Sequence, residues 1–230
     1  MAVDIVWFKK DLRVQDHQPL NEAAKSDNNL LCLFLVEPKR LELEDTDPIH
    51  IEWELDNAEE LAKSLDEIGG HLHIKFEDAI TAMQSLHEEY VISRIFSHQE
   101  TGNSWSYQRD IQVKEWCIEN GVEWMEFANN GVIRGLVDRD LWKKKRDSRM
   151  RIELKPAPQL GEKSIPLTSE FKRTSIGLNP RKLTVRREPG ELAAIQRLNQ
   201  FLDDEAKNFQ WGISSPCLLY TSDAADEVLG

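Results

Sequence analysis

The chain opens with Val3-Asp4-Ile5-Val6-Trp7-Phe8-Lys9-Lys10-Asp11-Leu12-Arg13, and Asp16-His17 and Pro19-Leu20 follow. An apolar run that ends abruptly in charged residues predicts a strand buried on both faces and a polar turn at its carboxyl end. Asp16 stands where a capping residue would begin a helix through Ala23 and Ala24. A buried strand, a turn and a capped helix form the first unit of a sheet covered by helices.

Strand and helix patterns then alternate to about residue 130. Continuous or alternating apolar runs predict four further strands, at Asn29–Val36, His71–Phe76, Tyr90–Ser97 and Val122–Phe127. Helical spacing predicts helices at Ile49–Ile68, Asp78–Glu89 and Ser106–Asn120. This order predicts an α/β fold, a Rossmann-like doubly wound sheet of five parallel strands. Such sheets bind ligands outside the carboxyl ends of their strands, which here are Lys9–Arg13, Glu37–Arg40 and Ser97–Trp105.

Residues 134–189 have a different character. Between Arg134 and Arg187 the sequence holds sixteen Lys or Arg and six Asp or Glu, although the whole chain has a net charge of −12. We expect a short helix near Asp138–Arg149 and then a long irregular connection, which is unusual inside a compact domain and typical of a linker. The basic residues indicate either a segment that crosses an acidic domain face or a solvated charged loop. Residues 190–208 are predicted to be helical again, with Leu192, Ile195, Leu198 and Leu202 on one face.

Composition excludes several classes of protein. With 40% hydrophobic and 30% charged residues the chain is typical of a soluble globular protein. No apolar run approaches the roughly 20 residues that span a bilayer, and the start is unlike a signal peptide. We therefore expect a cytoplasmic monomer without a membrane partner. The negative net charge argues against strong nucleic-acid binding by this chain alone.

Familiar catalytic and ligand motifs are missing from the sequence. Cys32, Cys117 and Cys217 are far apart and odd in number, which disfavours a disulfide framework or a zinc site. His71 and His73 point the same way on one strand and are expected to be surface residues. Charged residues replace the glycine-rich turn after the first strand, so an ordinary dinucleotide site is disfavoured. No catalytic residue or metal ligand is assigned.

Two segments resemble one known family. The start of the chain is similar to the W-F-[RK]-[RK]-D-L-R and D-[NH]-x-x-L patterns of the DNA photolyase/cryptochrome family, and His98–Asp110 is similar to a second, polar turn of that family. The resemblance implies an α/β antenna-type domain over residues 1–133, an interdomain linker over 134–189 and the start of a helical FAD-binding domain over 190–216. Residues 217–230 resemble a translated sequencing adapter and are expected to be non-native.

The resemblance also implies a binding crevice for an antenna pigment, which in this family is a folate, a deazaflavin, a flavin or a lumazine. Glu100 would accept hydrogen bonds from the ring, and Trp105 or Tyr107 would stack on it. The alternative is that Arg109 and Asp110 pair with neighbouring helices while Trp105 belongs to the core; Asp11 and Arg13 are expected to pin the turn. The candidate pigment-binding residues are Phe8, Lys10, Glu37, Glu100, Asn103, Trp105 and Arg109.

The function implied for the intact protein is light-driven chemistry on FAD. As a photolyase it would absorb blue light and repair pyrimidine dimers in UV-damaged DNA, with the lesion flipped out of the duplex. The family's R-L-S-P-Y segment, which helps to hold the flavin diphosphate, is expected after Pro216 and is missing here, so this fragment alone is expected to be inactive in repair. A signalling cryptochrome and a stand-alone α/β nucleotide-binding module are the alternatives.

Overall fold

A computed structural model describes residues 2–129, 131–166, 171–178, 187–207 and 209. Within these ranges there is no helix with the length and apolar character needed to cross a membrane. The expectations for residues 210–216 and for the tail at 217–230 lie outside the described residues.

Five parallel strands form one sheet, as predicted. The strands are β1 (Val3–Phe8), β2 (Asn29–Leu35), β3 (Leu72–Lys75), β4 (Ile92–His98) and β5 (Glu123–Phe127). Their order is β3-β2-β1-β4-β5, so β1 lies at the centre between β2 and β4. From β1 the chain adds β2 and β3 on one side of the sheet and then β4 and β5 on the other. The switch point of this doubly wound fold therefore lies at the carboxyl ends of β1 and β4.

Helices cover both faces of the sheet. They are α1 (Gln18–Ala24), α2 (Pro38–Leu41), α3 (Pro48–Glu67), α4 (Ala79–Tyr90), α5 (Ser104–Glu119), α6 (Trp142–Met150) and α7 (Glu191–Gln200), the last continued by a π-helical turn, Phe201–Glu205.

Side chains of β1 alternate between two buried clusters, as the two-residue period of a strand requires. Val6 and Phe8 pack with α1 and α3, whereas Ile5 and Trp7 pack with α4 and α5.

Helix α1 begins one residue later than predicted, because His17 and not Asp16 is its N-cap. The backbone N–H of Leu20 donates to His17 Nδ1 at 3.1 Å. Asp16 adopts a left-handed backbone conformation with φ of 48°. Its N–H donates to the carbonyl of Lys155 at 2.7 Å. Asp16 therefore binds the downstream linker and leaves the cap to the histidine.

The predicted linker packs against the sheet as part of the core. Leu160 is 3% exposed and Ile165 is 8% exposed. The N–H of Leu160 donates to Ile68 O at 2.9 Å, and the N–H of Ile165 donates to Leu30 O at 2.8 Å. His73, which was expected at the surface, is half-buried. The linker lies against it, with Ile165 O 3.0 Å from His73 Nε2. This stretch therefore stabilises the edge of the sheet that is formed by β3 and its neighbour β2.

A second linker contact supports the interpretation of a basic segment crossing an acidic face. Arg173 lies against helix α3, with its guanidinium 2.7 Å from Asp56, 3.4 Å from Glu52 and 3.4 Å from Glu59. At this position the alternative of a solvated charged loop does not apply.

Removing the buried linker side chain should destabilise the whole domain. Leu160→Ala deletes a core side chain and leaves a cavity, so we expect the free energy of unfolding to fall by about 2 to 5 kcal/mol. Leu154→Ala is the matched control, since Leu154 is 75% exposed on the same segment. Urea unfolding followed by circular dichroism measures both. Equal midpoints for the two variants would contradict the packing of the linker into the core.

Candidate functional site

A buried guanidinium occupies the carboxyl ends of the strands. Arg109, on α5, donates from Nη1 to Glu37 at 2.8 Å and from Nη2 to Glu100 at 2.6 Å and to Asp110 at 2.8 Å. The side chains of Arg109, Glu37 and Glu100 are 10%, 5% and 8% exposed. Burial disfavours the cation, but the three carboxylates outweigh it and raise the pKa of Arg109. The protein's own ion pairs thus occupy the centre of the crevice predicted for a pigment ring. Glu37, Trp105 and Arg109 also line a cavity of about 610 Å³ between α4 and α5.

Two cations here, Arg109 and Lys9, each lie against the rings of tryptophan side chains. The Arg109 guanidinium lies 4.9 Å from the ring centroid of Trp7 and 5.4 Å from that of Trp105. Lys9 Nζ lies 4.5 Å from the centroid of Trp7 and 5.0 Å from that of Trp124, and 3.1 Å from Asp110. Burial lowers the pKa of Lys9 and outweighs the opposing effect of Asp110. Cation–π contacts of this kind are strongest when water is excluded, as it is here.

A second polar cluster, Asp11, His17 and His98, lies beside the first and is almost completely buried. Asp11 Oδ2 is 2.8 Å from His17 Nε2 and 2.5 Å from His98 Nδ1, and Asp11 Oδ1 accepts the N–H of Lys9 at 2.8 Å. Burial alone would raise the pKa of Asp11, but the two histidines outweigh it and hold that pKa well below the usual range. Burial lowers the pKa of His17 despite its carboxylate partner.

The ligand atoms of these three residues lie within 4.8 Å of one another, a spacing that also suits a metal ion. The hydrogen bonds argue against that use. His17 Nδ1 accepts from Leu20, so the proton of a neutral ring is on Nε2, the atom that would have to bind the metal. Asp11 then accepts N–H groups from both rings. We interpret the cluster as a closed set of hydrogen bonds.

This cluster was not predicted from the sequence. His17 and His98 are 81 positions apart in the chain. Their proximity follows from the sheet order, because β1 and β4 are neighbours and their carboxyl ends meet. The available signal was a polar residue at or shortly after the end of each of two buried strands, Asp11 after β1 and His98 at the end of β4.

The expected structural role of Asp11 and Arg13 is confirmed. Asp11 ties the turn after β1 to α1 and β4 through its two histidines. Arg13 donates to the carbonyl of Asp16 at 3.0 Å and to the side chain of Asn129 at 3.0 Å.

The seven candidate pigment-binding residues fall into three groups. Phe8 is fully buried in the core, and Trp105 is half-buried beside Arg109. Glu37, Glu100 and Arg109 form the ion-pair network. Lys10 and Asn103 instead line a cleft beside this network. The Lys10 side chain is 57% exposed, and its Nζ lies 3.8 Å from Glu100.

The cleft consists of two adjoining cavities that share Lys10, Trp53 and Glu54. One, of about 500 Å³, lies between the turn after β1, α3 and α7. The other, of about 370 Å³, is also lined by Arg40, Asp45, Thr46, His50 and Asn103. Trp53 is 38% exposed between them. Trp53 lies off the apolar stripe of α3, so the helical period of that segment did not predict a functional role for it.

A family model agrees with this fold. The DNA photolyase family model matches residues 4–136, more than half of the chain. The chain therefore belongs to the DNA photolyase family.

Curated relatives match at modest identity. A cryptochrome DASH from Gloeobacter violaceus is 27% identical over 115 residues, which cover 47% of this chain and 23% of that protein. A (6-4)DNA photolyase from Arabidopsis thaliana is 26% identical over 132 residues, which cover 52% of this chain and 23% of that protein. The matched part is about a quarter of each relative's length.

Solved structures extend the similarity of fold to most of the chain. A bacterial class III photolyase from Agrobacterium tumefaciens has a TM-score of 0.74 at 20% identity and covers 92% of this chain and 47% of its own. A Synechocystis cryptochrome has a TM-score of 0.71 at 18% identity and covers 91% of this chain and 48% of its own. The chain spans about half the length of each.

The buried histidine should make stability depend on pH. A histidine whose pKa is lower in the folded than in the unfolded state contributes its full stability above the unfolded value, about 6.5, and loses it as the pH falls. His17→Asn keeps a donor to Asp11 and an acceptor for Leu20 without a titrating ring. We expect the urea midpoint of the wild type to fall between about pH 7 and pH 5 by more than that of the variant.

His50→Asn, at an exposed position, is the control and should retain the wild-type dependence on pH. If the urea midpoints of the wild type and His17→Asn change equally with pH, His17 does not contribute to the pH dependence of stability.

Proposed function

We propose that this chain is part of a light-dependent flavoprotein that repairs UV-induced pyrimidine dimers, and that its α/β domain binds an antenna pigment in the cleft beside Trp53. Family membership supports the first part. Two relatives carry photolyase names, the (6-4)DNA photolyase from Arabidopsis thaliana and a deoxyribodipyrimidine photo-lyase from Neurospora crassa.

The observation that carries the pigment site is the half-exposed indole of Trp53 between two adjoining cavities. A planar ring can stack on an exposed indole, and ligand pockets typically combine aromatic walls with a few polar groups. Asn103 Nδ2 donates to Asp45 at 2.9 Å on one side of the cleft, and Lys10 supplies a positive charge on another. These groups suit a polar heteroaromatic ring such as that of a folate, deazaflavin, flavin or lumazine.

The ion pairs at the strand ends support the same choice of site. A ring placed within the ion-pair network itself would have to displace Arg109 from Glu37, Glu100 and Asp110. Breaking a buried ion pair leaves an uncompensated charge, which is strongly destabilising. The cleft beside Trp53 requires no such rearrangement. Lys10 and Asn103 are therefore proposed to contact the pigment, whereas Glu37, Glu100 and Arg109 are proposed to support the cleft from behind.

FAD would supply the electron-transfer chemistry of the intact protein, with the protein providing binding and orientation. From the resemblance we expect its diphosphate site after Pro216, outside the described residues. No described residue is assigned to FAD.

Replacing Trp53 should weaken pigment binding. Fluorescence or absorbance titration with 5,10-methenyltetrahydrofolate, 8-hydroxy-5-deazariboflavin, FMN and 6,7-dimethyl-8-ribityllumazine identifies the pigment class. For the pigment that binds, we expect Trp53→Ala to raise Kd about tenfold or more, because stacking is lost, and Trp53→Phe to retain most of the affinity. Trp142→Ala is the control, since Trp142 is similarly exposed (39%) and lies outside the cleft. Binding that is unchanged in Trp53→Ala would overturn the proposed site.

Repair is tested on the complete gene product. DNA carrying cyclobutane dimers or (6-4) lesions is illuminated with blue light in the presence of the reduced flavoprotein, and lesion loss is measured. Light-dependent repair would support the photolyase proposal.

A signalling cryptochrome is the second candidate, because relatives from Gloeobacter violaceus, Aedes aegypti and Synechocystis carry cryptochrome names. Flavin photoreduction without loss of either lesion would favour it.

A further inference from the structure

We propose that Asn57, Gly190 and Glu191 form an interdomain clamp that fixes α7 against the α/β domain and sets the width of the cleft beside Trp53. The clamp lies where the chain returns from the linker and begins α7. Its contacts join residues that are more than 130 positions apart in the sequence.

The first half of the clamp is a carboxylate that receives backbone N–H groups. Glu191, the first residue of α7, accepts from Val14 N–H at 3.0 Å and from Gln15 N–H at 3.2 Å. Hydrogen bonds to an ionised acceptor are stronger than those between neutral groups. The carboxylate also lies at the N-terminus of α7, where the helix dipole favours a negative charge. The turn after β1 is thus tied directly to α7.

The second half of the clamp requires a glycine. Gly190 has φ of 98° and ψ of 163°, a backbone conformation available essentially to glycine alone. Its N–H donates to the Asn57 side-chain oxygen, on α3, at 2.9 Å. A Cβ added at Gly190 would lie 2.9 Å from Cβ of Glu60. Helix α7 therefore begins in close contact with α3.

The clamp determines what faces the cleft. Ala194, Ile195 and Leu198 of α7 line the larger cavity opposite Leu12 and Trp53. These side chains form one wall, and α3 and the turn after β1 form the others. The start of α7 is held to the turn after β1 through Glu191 and to α3 through Gly190. These contacts therefore set the distance from α7 to the other two walls of the cleft. The side chains of α7 do not themselves fill the cavity.

Ligand binding and clamp formation should then be coupled. This step rests on the proposed function, because it assumes that the cleft binds a pigment. A pigment that contacts both walls would stabilise the clamped arrangement, and thermodynamic linkage requires the clamp to raise pigment affinity by the same factor. The clamp itself does not depend on that assumption.

Hydrogen exchange of the 230-residue chain tests the clamp without any pigment. In Glu191→Ala we expect the amides of Val14 and Gln15 to exchange about tenfold faster or more, because their acceptor is gone. In Asn57→Ala we expect the Gly190 amide to exchange faster in the same way. Amides in the centre of β1 should be unchanged in both variants, which verifies that the domain remains folded. Unchanged exchange at Val14, Gln15 and Gly190 would overturn the clamp.

Two glycine variants separate the clamp from a general effect of backbone strain. Gly190→Ala combines an unfavourable φ with the clash against Glu60, so exchange at Val14, Gln15 and within α7 should increase. Gly177→Ala also places alanine at a positive φ, 67°, but its Cβ would meet nothing within 4 Å. Exchange at Val14 and Gln15 should be unaffected by Gly177→Ala. Equal acceleration in both variants would contradict a specific role for Gly190.

Titration of Glu191→Ala with the pigment that binds the wild type tests the coupling. We expect about a fivefold or greater rise in Kd, with Glu153→Ala, at an exposed position away from α7, as a control that leaves Kd unchanged. If exchange increases but Kd does not, the clamp stands and its coupling to the pigment fails. If the wild type binds none of the four pigments, the pigment proposal fails, and the exchange data decide the clamp alone.

Discussion

The arrangement at the centre of the molecule depends on a buried carboxylate in the turn that follows the central strand. Asp11 accepts hydrogen bonds from His17 at the start of α1, from His98 at the end of β4 and from the backbone of Lys9. An isolated ionised carboxylate in such a position would be very unfavourable, so each of these donors is needed to compensate its burial. Because the donors belong to three different elements, the charge fixes those elements relative to one another.

The same principle extends to the neighbouring cations. Lys9 and Arg109 are both buried, and each combines a carboxylate partner with the face of Trp7. Replacing such an ion pair by apolar side chains of similar volume is often neutral in stability, whereas removing one partner is costly. The network therefore specifies one arrangement of the strand ends more than it adds net stability. It also occupies part of the place where a doubly wound sheet usually binds a ligand.

The sequence was sufficient to predict the five strands and the doubly wound sheet, because long apolar runs such as Asn29–Val36 have few alternatives. Local errors arose where tertiary contacts overrode local preference. Asp16 is a good N-cap by propensity, yet its bonds to Lys155 leave the cap to His17. The linker was predicted to be irregular after its short helix, but burial of Leu160 and Ile165 depends on a groove that only the folded sheet creates.

The candidate site was harder to predict than the fold, and its geometry gives the reason. The resemblance directed attention to one segment, His98–Asp110, and to the strand ends, where the side chains satisfy one another. The cleft instead brings together a turn at residues 10–13, an off-stripe tryptophan of α3 and a helix that begins at Glu191. No local pattern relates positions so far apart in the sequence. The position of α7 also depends on Gly190, with φ of 98°, and on the Glu191 carboxylate, which accepts the N–H groups of Val14 and Gln15. In this chain, the space available to a ligand is therefore determined by how the linker returns to the first turn of the fold.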